Sequence, residues 1–282
     1  MAIIYQSIVM LPANKEIVHR IDTTQNTIRV GRFEISYYTR KNPQKASFNE
    51  DSLGYVLLDD ENIILVVADG VGGQPKGDNA SGKVLKSVLD KLANIDSQEK
   101  DENTIRNAIL NGIESANQDL ISEGSGAKTT VTICEIRGNT CRSYQVGDSE
   151  LLVCGQKGKL KYKTTSHSPV GYGVEAGLIT ETAALNHPDR HFISNVVGEA
   201  EMKIEMGPKI KLAARDTILM GSDGLFDNFS YKELKELVRS GKLNQVLERL
   251  DAKLRVKIND SFDNSEKAKY DDVSFLIARQ AS

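Results

Sequence analysis

Leu65-Val66-Val67-Ala68-Asp69-Gly70-Val71-Gly72-Gly73 is the stretch from which the rest of the chain can be read. The aliphatic, β-branched run 63–67 has the character of a buried strand. It stops at a carboxylate followed by a glycine-rich turn. Such a strand end delivers one acid to a fixed point while backbone N–H and carbonyl groups come close to a ligand. Taken alone, Asp-Gly reads equally well as a hairpin turn. The arrangement recurs three times. Residues 141–146 run into Gly147-Asp148-Ser149, and 216–220 run into Gly221-Ser222-Asp223-Gly224-Leu225-Phe226-Asp227. In reverse order, Asp271-Asp272 precede the apolar run 273–278. Hard oxygen donors of this kind suit Mg²⁺ or Mn²⁺; zinc would call for His or Cys. The reading depends on these acids converging.

Composition narrows the class. The 282 residues, 39% hydrophobic and 27% charged, suit one large or two modest globular domains with a substantial core. A formal net charge of −3 without a basic block gives no electrostatic footprint for nucleic acid. No apolar run reaches the ~18 residues of a transmembrane helix. Ala2-Ile3-Ile4-Tyr5 lacks the basic leader of a signal peptide. The expectation is a cytoplasmic protein that engages neither membrane nor nucleic acid. Cys134, Cys141 and Cys154 show no Cys-x-x-Cys spacing, which argues against zinc and against a disulfide framework. If Gly147-Asp148 is a tight hairpin turn, Cys141 and Cys154 face each other across it as buried reduced thiols. His19, His167, His187 and His191 lack ligand spacing and read as surface or core residues.

Residues 1–30 show little organisation and read as an N-terminal extension, with a strand candidate at Ile8-Val9-Met10-Leu11; residues 31–282 form the domain. Residues 33–38 alternate as a strand. Residues 53–58 and 63–68, joined by the turn Asp59-Asp60-Glu61-Asn62, make a hairpin that puts Glu50 and Asp51 at the same end as Asp69. Amphipathic helices follow at 79–94 and 103–122, the second closed by Gly124. Strands resume at 129–136, on either side of Gly147-Asp148, and at 160–162. Between 166 and 195 periodicity is lost, and Pro169, Gly171, Gly173, Gly177 and Pro188 mark an irregular segment of lid length. After strands at 209–212 and 217–220, Ser230-Tyr231-Lys232-Glu233 is a capping box for a helix ending before Gly241. Leu243, Val246, Leu247, Leu250 and Leu254 stripe the next helix; a polar tail, 259–269, leads to the last strand. Hairpin-connected strands with segregated helix pairs indicate an α+β fold with antiparallel sheets.

Acids crowded together repel, and each costs several kcal/mol to desolvate unless a cation neutralises it. A bridging carboxylate with two further acids can hold two divalent ions ~3.5–4 Å apart, a pair that makes hydroxide near neutral pH and binds phosphoryl oxygens. No Cys or Ser nucleophile has a base beside it in the sequence. Metal-activated water attacking a phosphate ester therefore leads.

The ordered set Asn49-Glu50-Asp51, Asp69-Gly70-x-Gly72-Gly73, Gly77 with Ala80-Ser81, Thr129-Thr130, Gly147-Asp148-Ser149, Ser222-Asp223-Gly224-Leu225-x-Asp227 and Asp271-Asp272 spans residues 33–279. It resembles the metal-dependent protein Ser/Thr phosphatases of the protein phosphatase 2C family, most of all the compact bacterial members. The resemblance implies an α-β-β-α sandwich: two packed antiparallel β-sheets flanked by pairs of helices, with metals in a cleft at one end. It implies hydrolysis of phosphoserine and phosphothreonine in proteins by a hydroxide bridging two Mn²⁺ or Mg²⁺ ions. Asp69 would bridge the two, the Gly70 carbonyl would bind one, and Asp223 and Asp271 the other. Glu50 and Asp51 would hold metal-bound waters, and Asp148 with Asp223 would form a weaker third site. The 166–195 segment corresponds to the variable flap. Phosphorylated proteins are the implied substrates, and a cognate Ser/Thr kinase the candidate partner.

The sequence departs from that pattern in places. Many members carry an arginine, which grips the substrate phosphate, four positions before the residue matching Glu50; Ala46 stands there. The adjacent Lys45 can substitute as a point charge but not as a bidentate fork, and Arg40 lies further back. Val71 stands where some members have a histidine general acid, which leaves the departing hydroxyl to take its proton from water. Asp78, Glu150 and Asp272 replace the usual Glu, Arg and Asn. The absent arginine motivates an alternative, a catalytically weak or dead relative acting as a phosphoprotein-binding or scaffold module. A purely structural acidic cluster holding Ca²⁺ is a third reading.

Overall fold

The run that opens the sequence reading is β6 (Asn62–Asp69), and in the computed structural model every side chain from Ile63 to Ala68 is fully buried. Both faces of the strand are covered. Ile63, Leu65 and Val67 point into the space between two sheets, while Ile64, Val66 and Ala68 point at helices. This two-sided burial is why the run is continuously apolar instead of alternating. The structure describes residues 7–10, 15–19, 22–71, 76–96, 100–260 and 269–281. Gly72, Gly73 and most of the polar tail at 259–269 lie outside them.

Two antiparallel sheets face each other. The first has the order β1 (Ser7–Met10), β2 (Lys15–His19), β5 (Asp51–Asp59), β6, β7 (Val131–Arg137), β8 (Thr140–Val146) and β11 (Glu205–Met206), with β12 (Ile210–Lys211) also paired to β8. The second has the order β10 (Leu160–Lys163), β9 (Glu150–Cys154), β13 (Thr217–Gly221), β14 (Val273–Gln280), β4 (Phe33–Arg40) and β3 (Thr23–Val30). Helices α1 (Gly77–Ala93) and α2 (Glu102–Ser122) cover the outer face of the first sheet through Val84, Leu85, Val88, Ile105, Ile109 and Ile113. Helices α5 (Asp223–Phe226), α6 (Tyr231–Val238) and α7 (Leu243–Asp260) cover the outer face of the second through Leu225, Leu234, Val246 and Leu250. Three apolar layers result, and the fold is the α+β sandwich expected from the sequence. The Ser230–Glu233 capping box is present at the start of α6.

Several local expectations change. Residues 7–30, read as weakly organised, contribute strands: β2 pairs with β5, and β3 pairs with β4 at all eight positions. β3 is an edge strand with little burial, so its sequence carries no apolar alternation to read. The 166–195 segment holds two short helices, α3 (Pro169–Glu175) and α4 (Glu181–Leu185), capped by the Ser168 and Thr180 hydroxyls. Neither is long enough to show a periodic stripe. The turn at Gly147-Asp148 is not a hairpin, because β8 lies in the first sheet and β9 in the second; the chain crosses between sheets there. Cys141 therefore does not face Cys154. Cys141 and Cys134 share the inter-sheet core, and Cys154 lies on the opposite face of the second sheet, against the helices. All three thiols are free and buried.

At the crossing, Gly147 has φ +106°, and a Cβ there would stand 2.5 Å from the Thr130 Cβ. Gly147→Ala is expected to destabilise the protein by about 1–3 kcal/mol, from backbone strain and overpacking together. Urea denaturation checks this; an unchanged midpoint would show that the crossing tolerates a side chain.

Candidate metal and active site

Antiparallel pairing decides where the acids go. Asp51 begins β5 and Asp69 ends β6, and the two stand opposite each other in the ladder. In the second sheet Gly221 ends β13 opposite Glu150, which begins β9, and opposite Phe275 near the start of β14. Asp148 therefore precedes one strand, Asp223 follows another and Asp271-Asp272 precede a third, all at the same edge. Parity fixes direction: Asp51 and Asp69 share the face of Leu53, Leu65 and Val67, which looks between the sheets.

Hydrogen bonds tie this rim together across the two sheets. The Ser222 hydroxyl donates to Asp51 Oδ2 at 2.9 Å, and the Ser222 N–H donates to the Ser274 carbonyl at 2.9 Å. Asp272 accepts from the backbone N–H of Asn42 at 2.7 Å and of Glu50 at 2.8 Å. The Glu50 carbonyl accepts from the Gly70 N–H at 3.1 Å and from the Ser81 hydroxyl at 2.6 Å. Ser81 in turn contacts Ser52, whose hydroxyl meets His19 Nδ1, so a polar chain runs from β2 to the rim. Gly70 and Gly77 pass so close that a Cβ on Gly70 would lie 2.4 Å from the Gly77 carbonyl carbon. That contact seats the start of α1 against the acid-bearing loop.

Two ammonium groups sit among the acids. Lys45 Nζ is 2.8 Å from Glu50, 2.8 Å from Asp271 and 3.2 Å from Asp272. Lys269 Nζ is bound to Asp223, 3.5 Å from Asp227 and 3.7 Å from Asp271. Burial alone would lower the Lys45 pKa, but the carboxylates of Asp271, Glu50 and Asp272 outweigh it and hold the ammonium charged well above the ordinary lysine range. The acids behave oppositely. Burial pushes Asp51 up to about 7, with the charges of Asp272 and Asp271 adding and the Ser222 hydrogen bond opposing. Asp69 keeps some exposure at the rim, yet the protein around it raises its pKa well above the usual carboxylate range, and Asp51, Asp271 and Asp148 raise it further. Asp227 and Asp148 are raised too, chiefly by burial.

The sequence pattern of the family described as protein phosphatase 2C matches residues 40–258. The chain belongs to the protein phosphatase 2C family. It is 28% identical over 204 residues to the protein phosphatase PhpP of Streptococcus pneumoniae, covering 70% of this chain and 81% of that one. Among solved structures it is similar to the serine/threonine phosphatase of S. agalactiae, with a TM-score of 0.72 and 24% identity over 88% of this chain and 99% of that one. It is also similar to the catalytic domain of the serine/threonine protein phosphatase PstP, a complex with two manganese ions, with a TM-score of 0.67 and 22% identity over 89% and 99%. At these identities the structures speak for the fold. The family match stops short of β14, so Asp271 and Asp272 join the site from outside the matched range.

As a protein phosphatase 2C, the chain brings the acids read from its sequence (Glu50, Asp51, Asp69, Asp148, Asp223 and Asp271) to one rim, with Gly70 beside them. Lys45 is there also, but its ammonium is engaged by three carboxylates. Among the described residues no three acidic side chains already surround one point as metal ligands; the lysines lie between them. The donor set nevertheless fits a hard cation. Asp51 Oδ1, Asp148 Oδ1, Asp223 Oδ1 and Asp227 Oδ2 are all buried without a hydrogen bond. Lys269, Ser222 and the charge role of Asp227 escaped the sequence reading. Lys269 lies in a polar tail, and only its spacing two residues before Asp271 could have drawn notice.

Two outcomes follow for protein kept in chelator. Lys269→Met leaves buried carboxylates uncompensated and is expected to cost about 3–5 kcal/mol, with added Mn²⁺ raising its melting temperature more than that of the unsubstituted protein. Equal Mn²⁺ responses would show that the lysine does not stand in for a cation. For pH, the folded state binds the Asp51 proton more tightly than an unfolded Asp of pKa ~3.9 does. That stabilisation is complete below about pH 4 and lost as pH rises to about 7, and the raised Asp69, Asp148 and Asp227 act in the same sense. The chelated protein should melt higher at pH 5 than at pH 8; the reverse order would contradict the crowding of these acids.

Proposed function

We propose that this protein hydrolyses phosphoserine and phosphothreonine in phosphoproteins, using two divalent cations, Mn²⁺ or Mg²⁺, held at the acid rim. The observation that carries the reading is the gathering of Asp51 and Asp69 from one sheet with Asp223 and Asp271 from the other, alongside buried carboxylate oxygens that lack hydrogen-bond donors. Family membership supports the reaction class, and the manganese complex of PstP supports the choice of ion.

In this reading Asp69, the Gly70 carbonyl, Asp223 and Asp271 hold the cation pair, Asp148 contributes to a weaker third site, and Glu50 and Asp51 orient coordinated waters. When bound, the pair supplies an acidified water as nucleophile and positive charge for the phosphoryl oxygens. The chain's own part is to position and to exclude. The Asp51–Ser222 hydrogen bond fixes one carboxylate oxygen and leaves Oδ1 to face the site. Lys45 and Lys269 neutralise carboxylates that would hold the cations, so the ammonium groups and bound ions would compete for Glu50, Asp271 and Asp223. Freed from those carboxylates, the Lys45 ammonium would be a point charge at the rim for the substrate phosphate. Val71 offers no proton, so the departing serine or threonine oxygen takes one from water. The substrates are products of Ser/Thr kinases, and a cognate kinase is the expected functional counterpart. The absent arginine that suggested an inactive relative is outweighed by the full set of retained acids.

Phosphate release from a phosphothreonine peptide with Mn²⁺ is the test. Asp69→Asn and Asp223→Asn should each lower kcat/KM by more than about a hundredfold, the loss typical of disturbing only the outer partners of a metal site. Hydrolysis without divalent cation, or rates in both variants equal to that of the unsubstituted protein, would overturn the proposal.

A further inference from the structure

Between the flap helices and α5–α6 lies a cavity of about 70 Å³ whose wall includes Asp148 and Asp227, so it adjoins the acid rim. The apolar part of its wall is formed by Val170 and Val174 of α3, Leu185 of α4 and Phe226 of α5. The wall also carries Glu150, at the start of β9, and Glu181, in the first turn of α4. Glu150 is only 7% exposed. The Tyr231 hydroxyl donates to its Oε2, and the charge of Lys163 also acts on it. Asp148, 5% exposed, presents a buried oxygen without a donor. Glu150, with the Tyr231 hydroxyl on Oε2, and Asp148, with Oδ1 unpartnered, both keep acceptor capacity in a partly apolar wall.

The charge in the wall points the same way. Four carboxylates, Asp148, Glu150, Glu181 and Asp227, meet two cations, Lys163 and Arg190. Lys163 Nζ is 3.3 Å from Glu175, outside the cavity, and 5.0 Å from the centre of the Tyr231 ring. Arg190 donates to the Leu185 carbonyl, and its charge bears on Asp227. With Asp148 and Asp227 turned to cations at the rim and Lys163 paired with Glu175, Glu150 and Glu181 exceed Arg190 by one charge.

We propose that this cavity receives the side chain of a lysine or arginine lying close in sequence to the phosphorylated residue of the substrate. The aliphatic stem runs along Val170, Val174 and Leu185, and the charged head donates to Glu150, with Glu181 drawing it in. The substrate class is thereby narrowed to phosphoproteins with a basic residue beside the phosphoserine or phosphothreonine. This rests on the phosphatase reading above.

The experiment uses phosphothreonine peptides that differ only at the positions flanking the phosphothreonine (Arg, Lys, Ala or Glu), with the full chain in Mn²⁺ and para-nitrophenyl phosphate alongside. The expected kcat/KM is about tenfold or more higher for Arg or Lys than for Glu, carried mainly by KM. Glu150→Gln should bring the ratio to about threefold or less. Glu181→Gln, at an exposed helix end where folding is not at stake, should lower it in the same direction. Hydrolysis of all substrates without preference overturns the pocket and leaves the phosphatase reading standing. A preference unchanged in Glu181→Gln, and in Glu150→Gln where that variant folds, overturns the pocket as well. Failure to hydrolyse any substrate overturns the phosphatase reading and the pocket with it.

Discussion

Like charges held close together at the end of two sheets have to be compensated, and that requirement shapes the working end of this molecule. The backbone places Asp51 and Asp69 opposite each other, and the second sheet adds Asp148, Asp223 and Asp271-Asp272 at the same rim. Coulomb repulsion among partly desolvated carboxylates amounts to several kcal/mol. Two lysines, protons on the raised acids, and hydrogen bonds from Ser222, Asn42 and Glu50 share the compensation. In the proposed function a divalent cation takes over this compensation.

The same rim holds the two halves of the sandwich in register. The Ser222–Asp51 and Asp272–Glu50 hydrogen bonds cross from one sheet to the other, and the Gly70–Gly77 approach locks α1 to the loop that follows β6. Apolar packing alone fixes the distance between sheets but tolerates sliding. Buried polar bonds of this sort add directional constraint, so the fold and the site depend on the same residues.

Much of this was legible in the sequence because two-sided burial leaves a plain mark. A continuous aliphatic run ending in Asp69, and similar runs flanked by Asp148, Asp223 and Asp271, announced buried strands with acids at their ends. What stayed hidden had physical reasons. β3 is an exposed edge strand, α3 and α4 are too short to show a stripe, and an inter-sheet crossing at Gly147 looks like a hairpin turn when only local residues are read. Lys269 left only its spacing from Asp271 as a sign, since a lysine in a polar tail gains its role from the carboxylates that surround it in space. The missing arginine was visible, but that Lys45 would be gripped by Glu50, Asp271 and Asp272 was not.

The convergence of these acids on bound cations can be seen directly by anomalous diffraction from crystals of the full chain grown with Mn²⁺. The expected map has two strong peaks between the carboxylates of Asp69, Asp223 and Asp271, with the ammonium groups of Lys45 and Lys269 moved away from them. A map with no peak at the rim, and both lysines still bound to the acids, would contradict the metal centre and leave the cluster as a lysine-neutralised structural feature.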